Sequence, residues 1–307
     1  MKIRYGTRGS KLALLQSRLA ISIVKNINKD TEFEETIIKT LGDKVTNAPL
    51  FKVGGQGLFI KEIEQALIEK KIDIAIHSLK DLPWQLADGL CLLAVGCEED
   101  PRDCIISRNN VNLNDLPPDS IIGTSSLRRR AQILTLRSDI SFVDMRGNID
   151  TRLKKLENNE ADAIILACAG LNRLGLDNKI TEKFSVNKIV PAVGQGLIAI
   201  ECRKEDEKQL KTIFETFSNK NAMIRARAER KFLEIMNAGC STPITAHATI
   251  NDKNLMLQVF MSDDSLQNSM TNCFHGSINN PEELGKEAAS EMLNSMDLLK
   301  IKVNRNV

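Results

Sequence analysis

The sequence predicts an α/β protein that carries a smaller α+β domain at its carboxyl end. Up to about Asn219, short apolar runs alternate with segments of helical periodicity, which is typical of helices layered on largely parallel sheets. After that point the pattern changes to a helix, several strand candidates and a last helix. The chain has 307 residues, which at about 100–200 residues per domain corresponds to two or three domains with substantial cores.

Each element before Asn219 is predicted from the spacing of its apolar residues. Leu12, Leu15 and Leu19 begin a series that continues at every fourth residue to Ile27, and this spacing forms one face of a helix. Apolar runs predict strands at 3–6, 36–41, 72–77, 92–96, 104–107, 121–123, 140–145 and 163–167. Periodic segments predict further helices at 59–67, 127–136 and 149–158.

Two segments with proline beside charged or glycine-rich neighbours, 98–102 and 190–196, are candidate hinges. If both are hinges, the second domain is an insertion in the first. The predicted domains are then 1–97 with 197–217, 102–191, and 220–307. In the last of these, periodicity predicts helices at 222–236 and 281–298 around strands at 244–250 and 255–261.

Composition and charge argue against several classes of protein. No stretch approaches 18 apolar residues, so no transmembrane helix is expected, and the amino terminus lacks the apolar run of a secretory signal, so a cytoplasmic location is expected. With 42 basic and 40 acidic residues, the net charge of +2 predicts no nucleic-acid or membrane partner. Seven cysteines without C-x-x-C spacing and three histidines without H-x-x-x-H spacing predict neither a disulfide framework nor a metal site.

Three strand-to-helix turns share one design. They are 6–10, 123–130 and 146–152, and each combines small or hydroxyl side chains with arginine. In open α/β sheets, ligands bind beyond the carboxyl ends of strands, where helix amino termini present free N–H groups and arginine matches carboxylate or phosphate. The three turns together predict a site for a ligand with several anionic groups. Each turn alone is also explained by N-capping hydroxyls and solvated arginines.

A reactive carboxylate is predicted in segment 74–83. An apolar strand ends there and delivers Ser78, Lys80 and Asp81 to the same sheet edge. A carboxylate at such an edge can move a proton or stabilise a developing cation. Asp81 before Leu-Pro is equally consistent with a cap of the next turn. His77 alternates into the strand and is interpreted as a core histidine.

Two glycine-rich segments, 52–58 and 192–196, match neither phosphate-binding pattern, so they predict loops or hinges rather than a nucleotide site. Cys240 differs from the other cysteines because it lies in a loop of small residues between a helix and a strand. A thiol there can be exposed and can carry a covalent group, although most cysteines are structural. Cys168 and Cys202 lie in apolar strand patterns and are predicted to be core residues.

The same segments, taken in order, resemble the hydroxymethylbilane synthase family of tetrapyrrole biosynthesis, also called porphobilinogen deaminases. No single motif carries the resemblance, which covers most of the first 245 residues and is weak beyond about Thr249. Its motifs are Gly6-Thr7-Arg8-Gly9-Ser10, His77-Ser78-Leu79-Lys80-Asp81, Asp100-Pro101-Arg102-Asp103, 123–129, Arg146-Gly147-Asn148, Ala169-Gly170-Leu171 with Arg173, 192–196 and Cys240.

This resemblance implies two doubly wound domains like those of periplasmic binding proteins and a third, α+β domain. It implies a dipyrromethane cofactor held by a thioether to the loop cysteine of the third domain, which by position is Cys240. Four porphobilinogen molecules would be joined head to tail with loss of ammonia, and the linear tetrapyrrole would be released by hydrolysis. The expected enzyme is a transferase that acts as a monomer.

The resemblance also assigns the site. Asp81 corresponds to the family's catalytic aspartate, with Lys80 beside it. The residues expected to bind carboxylates of cofactor or substrate are Arg8, Ser10, Lys52, Ser78, Thr124, Ser125, Ser126, Arg128, Arg129, Arg146, Gly147, Arg152, Arg173 and Gln195. A growing chain of porphobilinogen units is strongly anionic, so arginine-rich turns suit it. A fixed carboxylate suits loss of ammonia, because the electron-poor azafulvene and the attacked pyrrole pass through positive charge.

The sequence departs from the family pattern at two places. Gln56 stands where a basic residue is usual, so one anion contact is expected to be weaker or replaced. Ala238 stands where the family more usually has glycine before Gly-Cys, which we expect to be tolerated. One alternative of another class stays open: a non-catalytic, two-lobed binding protein for an anionic metabolite fits the same architecture, and it would need neither Asp81 nor a modified Cys240.

Overall fold

The computed structural model describes residues 1–40, 60–239 and 242–299. Its strands form two five-stranded sheets and one three-stranded sheet, with helices packed on them. The predicted α/β protein with a smaller carboxyl-terminal α+β domain is confirmed. None of the helices in these ranges is long and apolar enough to span a bilayer.

The first sheet is built from two separate stretches of chain. Its strands are β1 (Lys2–Arg8), β2 (Glu32–Ile38), β3 (Ile74–Ser78), β4 (Leu90–Gly96) and β10 (Ile198–Arg203). In space their order is β2-β1-β3-β10-β4; β1 runs parallel to β2 and β3, whereas β10 runs antiparallel to both neighbours. Helices α1 (Lys11–Ile27) and α6 (Glu207–Phe214) bury their apolar faces on one side, and α2 (Lys61–Ile68) covers the other.

The second sheet repeats this plan. Its strands are β5 (Asp103–Ser107), β6 (Ile121–Gly123), β7 (Ser141–Val143), β8 (Ala163–Ala167) and β9 (Glu182–Lys183). Their order is β7-β6-β8-β5-β9, with β6 parallel to β7 and β8, and β5 antiparallel to β8 and β9. Helix α3 (Leu127–Leu136) packs on one face, and α4 (Ile149–Glu157) with α5 (Cys168–Arg173) packs on the other.

The third sheet is fully antiparallel and belongs to the carboxyl-terminal part of the chain. Strands β11 (Ile244–Asn251), β12 (Asn254–Ser262) and β13 (Ser269–Ser277) lie in sequence order. Helices α7 (Lys220–Met236) and α8 (Pro281–Leu299) cover one face of this sheet around fully buried side chains such as Phe232 and Leu257. The alternation of apolar residues along β11 and β12 is what directs this face inward.

The two five-stranded sheets are less parallel than the sequence predicted. Strands β5 and β10 each follow directly on a crossing between the sheets, so they enter their sheet at the edge where the parallel strands end. The register shows this, since Asp103 at the start of β5 pairs with Ala167 at the end of β8, and Ile198 pairs with Ser78. A strand that enters from that edge must run antiparallel.

Three smaller expectations also differ from the structure. Strand β13 was not predicted, because only Phe274 in its centre is buried and edge strands show little apolar alternation. Strand β2 begins at Glu32, earlier than its apolar residues indicate. Cys168 begins α5 instead of continuing a strand, although it is fully buried as expected, and Cys202 lies buried in β10.

The chain passes from the first sheet to the second at residues 97–102, the first crossing, and comes back at residues 184–197, the return crossing. These two crossings lie side by side. The backbone N–H of Glu99 donates to the Gly196 carbonyl at 3.1 Å, and Arg173 donates to the carbonyls of Cys97 at 2.6 Å and Gly196 at 2.7 Å. A Cβ at Gly196 would lie 2.4 Å from the Glu99 carbonyl oxygen, and its φ of +91° favours glycine. The crossings therefore form one joint between the sheets rather than two separate linkers.

Candidate active site

The parallel strands of the first sheet bring two polar turns to one edge. After β1, Arg8 is half-buried and Ser10 begins α1, its Oγ accepting a hydrogen bond from the Ala13 N–H at 3.3 Å. After β3, Ser78 donates to the Oε1 of Gln16 on α1 at 2.9 Å. Both predicted serines are therefore occupied by contacts that order the start of α1 and the end of β3.

The turn that follows β3, Leu79–Asp81, is a single 3-10 turn. Leu79 is 1% exposed, and its N–H donates to the Leu197 carbonyl of the return crossing at 2.9 Å. Lys80 is half-buried and Asp81 is exposed. The buried leucine anchors the turn, and the two residues after it are left at the sheet edge. The predicted strand-end position of Asp81 is thus what the structure shows.

The first turn of the second sheet joins β6 to α3. Thr124 is 1% exposed and its Oγ1 accepts from the Ser126 N–H at 3.2 Å. Ser126 is the N-cap of α3 and accepts from the Arg129 N–H at 3.4 Å, and Ser125 donates to the Met145 carbonyl at 3.4 Å. These hydroxyls order the helix start, where the free N–H groups favour an anion.

Arg128 and Arg129 are engaged with a carboxylate of the protein itself. Both are 7% exposed, and each donates at 2.7 Å to the fully buried Asp103. Arg128 also donates to the Val190 carbonyl at 2.7 Å, and Arg129 to the Ile165 carbonyl at 3.0 Å. The two guanidiniums hold the pKa of Asp103 far below its usual range against the opposing effect of burial.

Gln195 and Arg173 belong to the same joint between the sheets. Gln195 donates from Nε2 to Asp103 at 2.9 Å and to the Pro101 carbonyl at 2.7 Å, which connects the return crossing to the start of β5. Arg173 contacts the carbonyls of both crossings, as described above. The structure thus places four predicted carboxylate binders, Arg128, Arg129, Arg173 and Gln195, in contacts that hold the crossings together.

The turn between β7 and α4 supplies the remaining predicted arginines. Gly147 has a φ of +108°, which glycine adopts without strain, and its carbonyl accepts a hydrogen bond from the Nε of Arg152 at 2.8 Å. Arg152 lies one turn into α4, so this bond folds its side chain back toward the turn. Arg146 is half-buried beside it.

Electrostatics connect these arginines to the Lys80–Asp81 turn. The pKa of Lys80 is lowered to about 8, chiefly by burial; Asp81 and Asp103 raise it in part, and the guanidiniums of Arg129 and Arg128 add to the lowering. Burial also lowers the pKa of Arg152 to about 10, again with a contribution from Arg129 and an opposing one from Asp81. The two turns belong to different sheets and lie within electrostatic reach of each other. We refer to the space between them as the cleft.

Two carboxylates act on the cationic groups at this edge. Asp103 neutralises much of the charge of Arg128 and Arg129, whereas the exposed Asp81 interacts electrostatically with Lys80 and Arg152. A desolvated ammonium whose pKa is lowered gains from a neighbouring anion. The arrangement suits a ligand that carries several carboxylates, and it leaves one carboxylate of the protein available for proton transfer.

Two predicted residues, Lys52 and Cys240, lie outside the described residues. The base of the Cys240 loop is described on both sides. Thr242 donates from Oγ1 to the Gly239 carbonyl at 2.8 Å, and its Oγ1 accepts from the Gly239 N–H at 3.1 Å. Helix α7 ends at Met236, so these two contacts lie shortly after the end of that helix.

The structure adds residues that the sequence reasoning did not single out. Asp103 lay within a quoted motif, Asp100-Pro101-Arg102-Asp103, but it had no role there. Glu229 and Arg230 of α7 are a buried and a half-buried charged residue in a helix of mixed pattern, so no local signal marked them. His77 is buried as predicted, and its Nε2 lies 3.0 Å from the Oε2 of the buried Glu201.

Comparison with known proteins gives one family. A family model described as "Porphobilinogen deaminase, dipyrromethane cofactor binding domain" matches residues 3–211, and one described as "Porphobilinogen deaminase, C-terminal domain" matches residues 223–294. The porphobilinogen deaminase of Bacillus velezensis is 45% identical over 94% of this chain and 92% of its own length. That of Syntrophomonas wolfei is 42% identical over 95% of both chains.

Likeness among solved structures is lower. A Salmonella typhimurium periplasmic binding protein with high arginine specificity is 15% identical, with a TM-score of 0.43, over 70% of this chain and 91% of its own. The porphobilinogen deaminase of Bacillus subtilis, by contrast, is 44% identical over 94% of this chain and 92% of its own length. The high identity thus extends over nearly the whole chain, including the carboxyl-terminal part for which sequence motifs were weak.

Proposed function

Because this chain belongs to the porphobilinogen deaminase family, we propose that the cleft edge carrying Lys80, Asp81 and Arg152 is its active site. The chain is a hydroxymethylbilane synthase. It joins four porphobilinogen molecules head to tail with loss of ammonia and releases the linear product by hydrolysis, using a dipyrromethane cofactor as primer. The observation that carries the site assignment is the exposed Asp81 facing a desolvated lysine and arginines from the other sheet.

The described residues fit such a cofactor by the chemistry of their donors. Dipyrromethane bears several carboxylates, and the cleft edge presents the ammonium of Lys80 and the guanidiniums of Arg146 and Arg152 near a helix amino terminus. When bound, the cofactor supplies a covalent end to which the chain is attached through every cycle. We propose that Cys240 forms the thioether, as its position in the family pattern implies.

Lys80 and Arg152 are proposed to orient substrate by its carboxylates. Each is partly desolvated, so a substrate carboxylate at either residue would stabilise its charged form. Arg8, Ser10 and Ser78 lie at the same sheet edge and would extend this anion-binding surface toward the first sheet. Lys52 is kept as a proposed contact by its family position.

Asp81 is proposed to act on the reacting pyrrole. Its carboxylate can hold a proton at Oδ and pass it to the amino group that leaves as ammonia. The same carboxylate can then accept a hydrogen bond from the ring N–H, which offsets the positive charge that develops on the ring. The proton released when the new carbon–carbon bond restores aromaticity can return to Asp81, so the carboxylate is ready for the next unit.

Arg128, Arg129, Arg173 and Gln195 are proposed to act at the joint between the sheets as well as on ligand carboxylates. Their contacts with Asp103 and with crossing carbonyls support this additional role beside the one that the resemblance implies. We further propose three domains, 1–97 with 197–217, 102–191 and 220–307, in a monomeric, cytoplasmic enzyme. The separate sheets and cores support this division.

Intact mass of the acid-unfolded chain tests the proposal. The purified protein should exceed its sequence mass by two linked pyrrole units, and Cys240→Ser should lack that excess. Cys273→Ser is the matched control, because Cys273 is exposed on β13, and it should keep the adduct. An adduct that survives in Cys240→Ser would refute the attachment site. If the wild-type chain neither carries an adduct nor releases ammonia from porphobilinogen, it is a metabolite-binding protein.

A further inference from the structure

A buried carboxylate connects the third domain to the return crossing. Glu229 of α7 is 2% exposed, and its Oε2 accepts the Gly194 N–H at 2.7 Å. Its Oε1 accepts the Ala248 N–H of β11 at 2.8 Å and lies 3.5 Å from Nδ1 of the buried His247. Both oxygens of one side chain are therefore used, one by the joint between the sheets and one by the third sheet.

The crossing residue that Glu229 holds packs directly on the Leu79–Asp81 turn. Gly194 has a φ of +69°, and a Cβ there would lie 2.5 Å from Cγ of Leu79. The N–H of Leu79 in turn donates to the Leu197 carbonyl of the same crossing. Because Leu79 is the buried anchor of the turn, the backbone of the crossing determines where the residues after it lie.

Helix α7 makes two more contacts of the same kind. Arg230 donates to the carbonyls of Leu82, Pro83 and Trp84 at 3.2, 2.8 and 3.0 Å, which holds the segment after Asp81. The Nη2 atom of Arg225 lies 2.6 Å from Oε1 of Glu98 in the first crossing. One helix thus contacts both crossings and the segment that follows the turn, and its carboxyl end leads into the loop of Cys240.

We propose that Glu229 is a positioning residue that keeps the Leu79–Asp81 turn in register with the third domain. The contact runs from Ala248 through Glu229 to Gly194 and on to Leu79. This inference rests on the proposed function, since it assigns Asp81 to the chemistry and Cys240 to the primer. A growing chain attached in the third domain reaches Asp81 correctly only while the crossing and α7 keep their relative position.

Glu229→Gln tests this with almost no change in size. The glutamine oxygen still accepts one N–H, but its NH₂ group then faces the other N–H, and a buried donor is left unpaired. Hydrogen exchange should become at least about tenfold faster at the Gly194, Ala248 and Leu79 amides. Glu234→Gln is the control on the same helix, because Glu234 is exposed and pairs only with Lys231 among the described residues.

The functional readout is the ladder of covalent intermediates. Glu229→Gln should attach cofactor like wild type, yet incubation with limiting porphobilinogen should leave a larger fraction of chains one to three pyrrole units short of product in the intact-mass spectrum. We expect kcat to fall roughly tenfold with KM changed less than about threefold. Glu234→Gln should give the wild-type ladder and rates.

A second pair of variants tests the contact without touching Glu229. Gly194→Ala places a methyl group against Leu79 and should slow elongation. Adding Leu79→Ala removes Cγ and Cδ2, the two atoms that the methyl group would meet most closely, and should restore part of the rate. Unchanged exchange at Leu79 in Glu229→Gln, or no rescue in the double variant, would overturn the inference and leave the proposed function intact. A wild-type chain that forms no intermediates at all would instead refute the proposed function.

Discussion

The two five-stranded sheets have the same strand order and the same pattern of directions, yet the chain carries different charged groups after their equivalent strands β3 and β8. In the first sheet, β3 ends in a 3-10 turn that exposes Asp81. In the second, β8 passes directly into α5, which ends at Arg173. Strands β1 and β6, which occupy equivalent positions in the two sheets, each lead to a helix capped by serine, Ser10 or Ser126. Shared topology therefore gives both sheets a turn that we propose binds anions, and the carboxylate proposed to react comes from one sheet alone.

The comparison also shows how a cleft can be cationic without instability. In the second sheet, two arginines are buried, and the fully buried Asp103 compensates them. In the first sheet, Lys80 is only half-buried and its pKa falls instead. Paired burial and a lowered pKa are the two ways in which a protein tolerates desolvated charge. Substitution of a paired, buried charge should therefore mainly lower the free energy of unfolding, whereas substitution of a half-buried charge should mainly weaken ligand binding.

Asp81→Asn should have the largest effect, because it removes the only exposed carboxylate that the described residues place in this turn. Loss of general acid–base catalysis typically lowers the rate by about 10²–10⁴-fold. Asp81→Glu keeps the carboxylate and should retain more activity. The assay is release of ammonia and linear tetrapyrrole by variants with wild-type cofactor content. Turnover of Asp81→Asn within a few-fold of wild type would mean that Asp81 only caps the turn.

Arg129→Leu should chiefly destabilise the protein, because it leaves Asp103 buried with one guanidinium fewer. Breaking a buried ion pair from one side typically costs about 3–5 kcal/mol. The free energy of unfolding in urea measures this. Arg152→Leu is the contrasting variant, since Arg152 is half-buried and donates to one carbonyl.

Arg152→Leu should unfold close to the wild-type urea midpoint. It should nevertheless weaken cofactor assembly or substrate binding, with a dissociation constant raised about 10- to 100-fold. This factor corresponds to the roughly 1.5–3 kcal/mol that a charged hydrogen bond contributes. Equal losses of stability in the two variants would show that the distinction between joint and ligand-binding arginines is wrong.

The lowered pKa of Lys80 should make the free energy of unfolding depend moderately on pH. Its pKa is about 8 in the folded protein against 10.5 in the unfolded chain. Between those values the unfolded chain holds more protons, so this residue makes the free energy of unfolding rise with pH from about 8 to 10.5, and its penalty is fully present below 8. Equilibrium urea unfolding of wild type and Lys80→Met at a series of pH values measures the difference in free energy of unfolding.

The same residue should act oppositely on binding. An anionic ligand stabilises the ammonium, so KM for porphobilinogen should rise as pH increases through about 8, and Lys80→Arg should flatten that rise. A KM profile identical in wild type and Lys80→Arg would place Lys80 away from substrate carboxylates.

The serine caps should give the smallest effects. Ser10→Ala and Ser126→Ala each remove an N-cap hydrogen bond, and each should cost about 0.5–2 kcal/mol in the free energy of unfolding. Because the two positions are equivalent in the two sheets, similar stability losses are expected. A loss of cofactor content in one variant alone would identify that hydroxyl as a ligand contact in addition to a cap.

Most of the architecture could be predicted from local patterns. Apolar spacing located α1, α3 and α4 to within a few residues, and strand-to-helix turns located the serine caps and Asp81. These features depend on contacts within a few residues of each other, so periodicity and capping chemistry contain them. The edge strand β13 was missed, since it buries one side chain only.

What the sequence determined by itself is the set of chemical groups and their order: a carboxylate after one strand, arginines after others, and a cysteine in a small loop. Only the tertiary structure decided the partners of these groups. Arg128 and Arg129 pair with Asp103, and Glu229 joins Gly194 to Ala248, across distances in sequence that no local pattern encodes. The physical reason is that a buried charge takes whichever partner the packed strands bring within hydrogen-bond reach, and that choice is made by strand order and crossings.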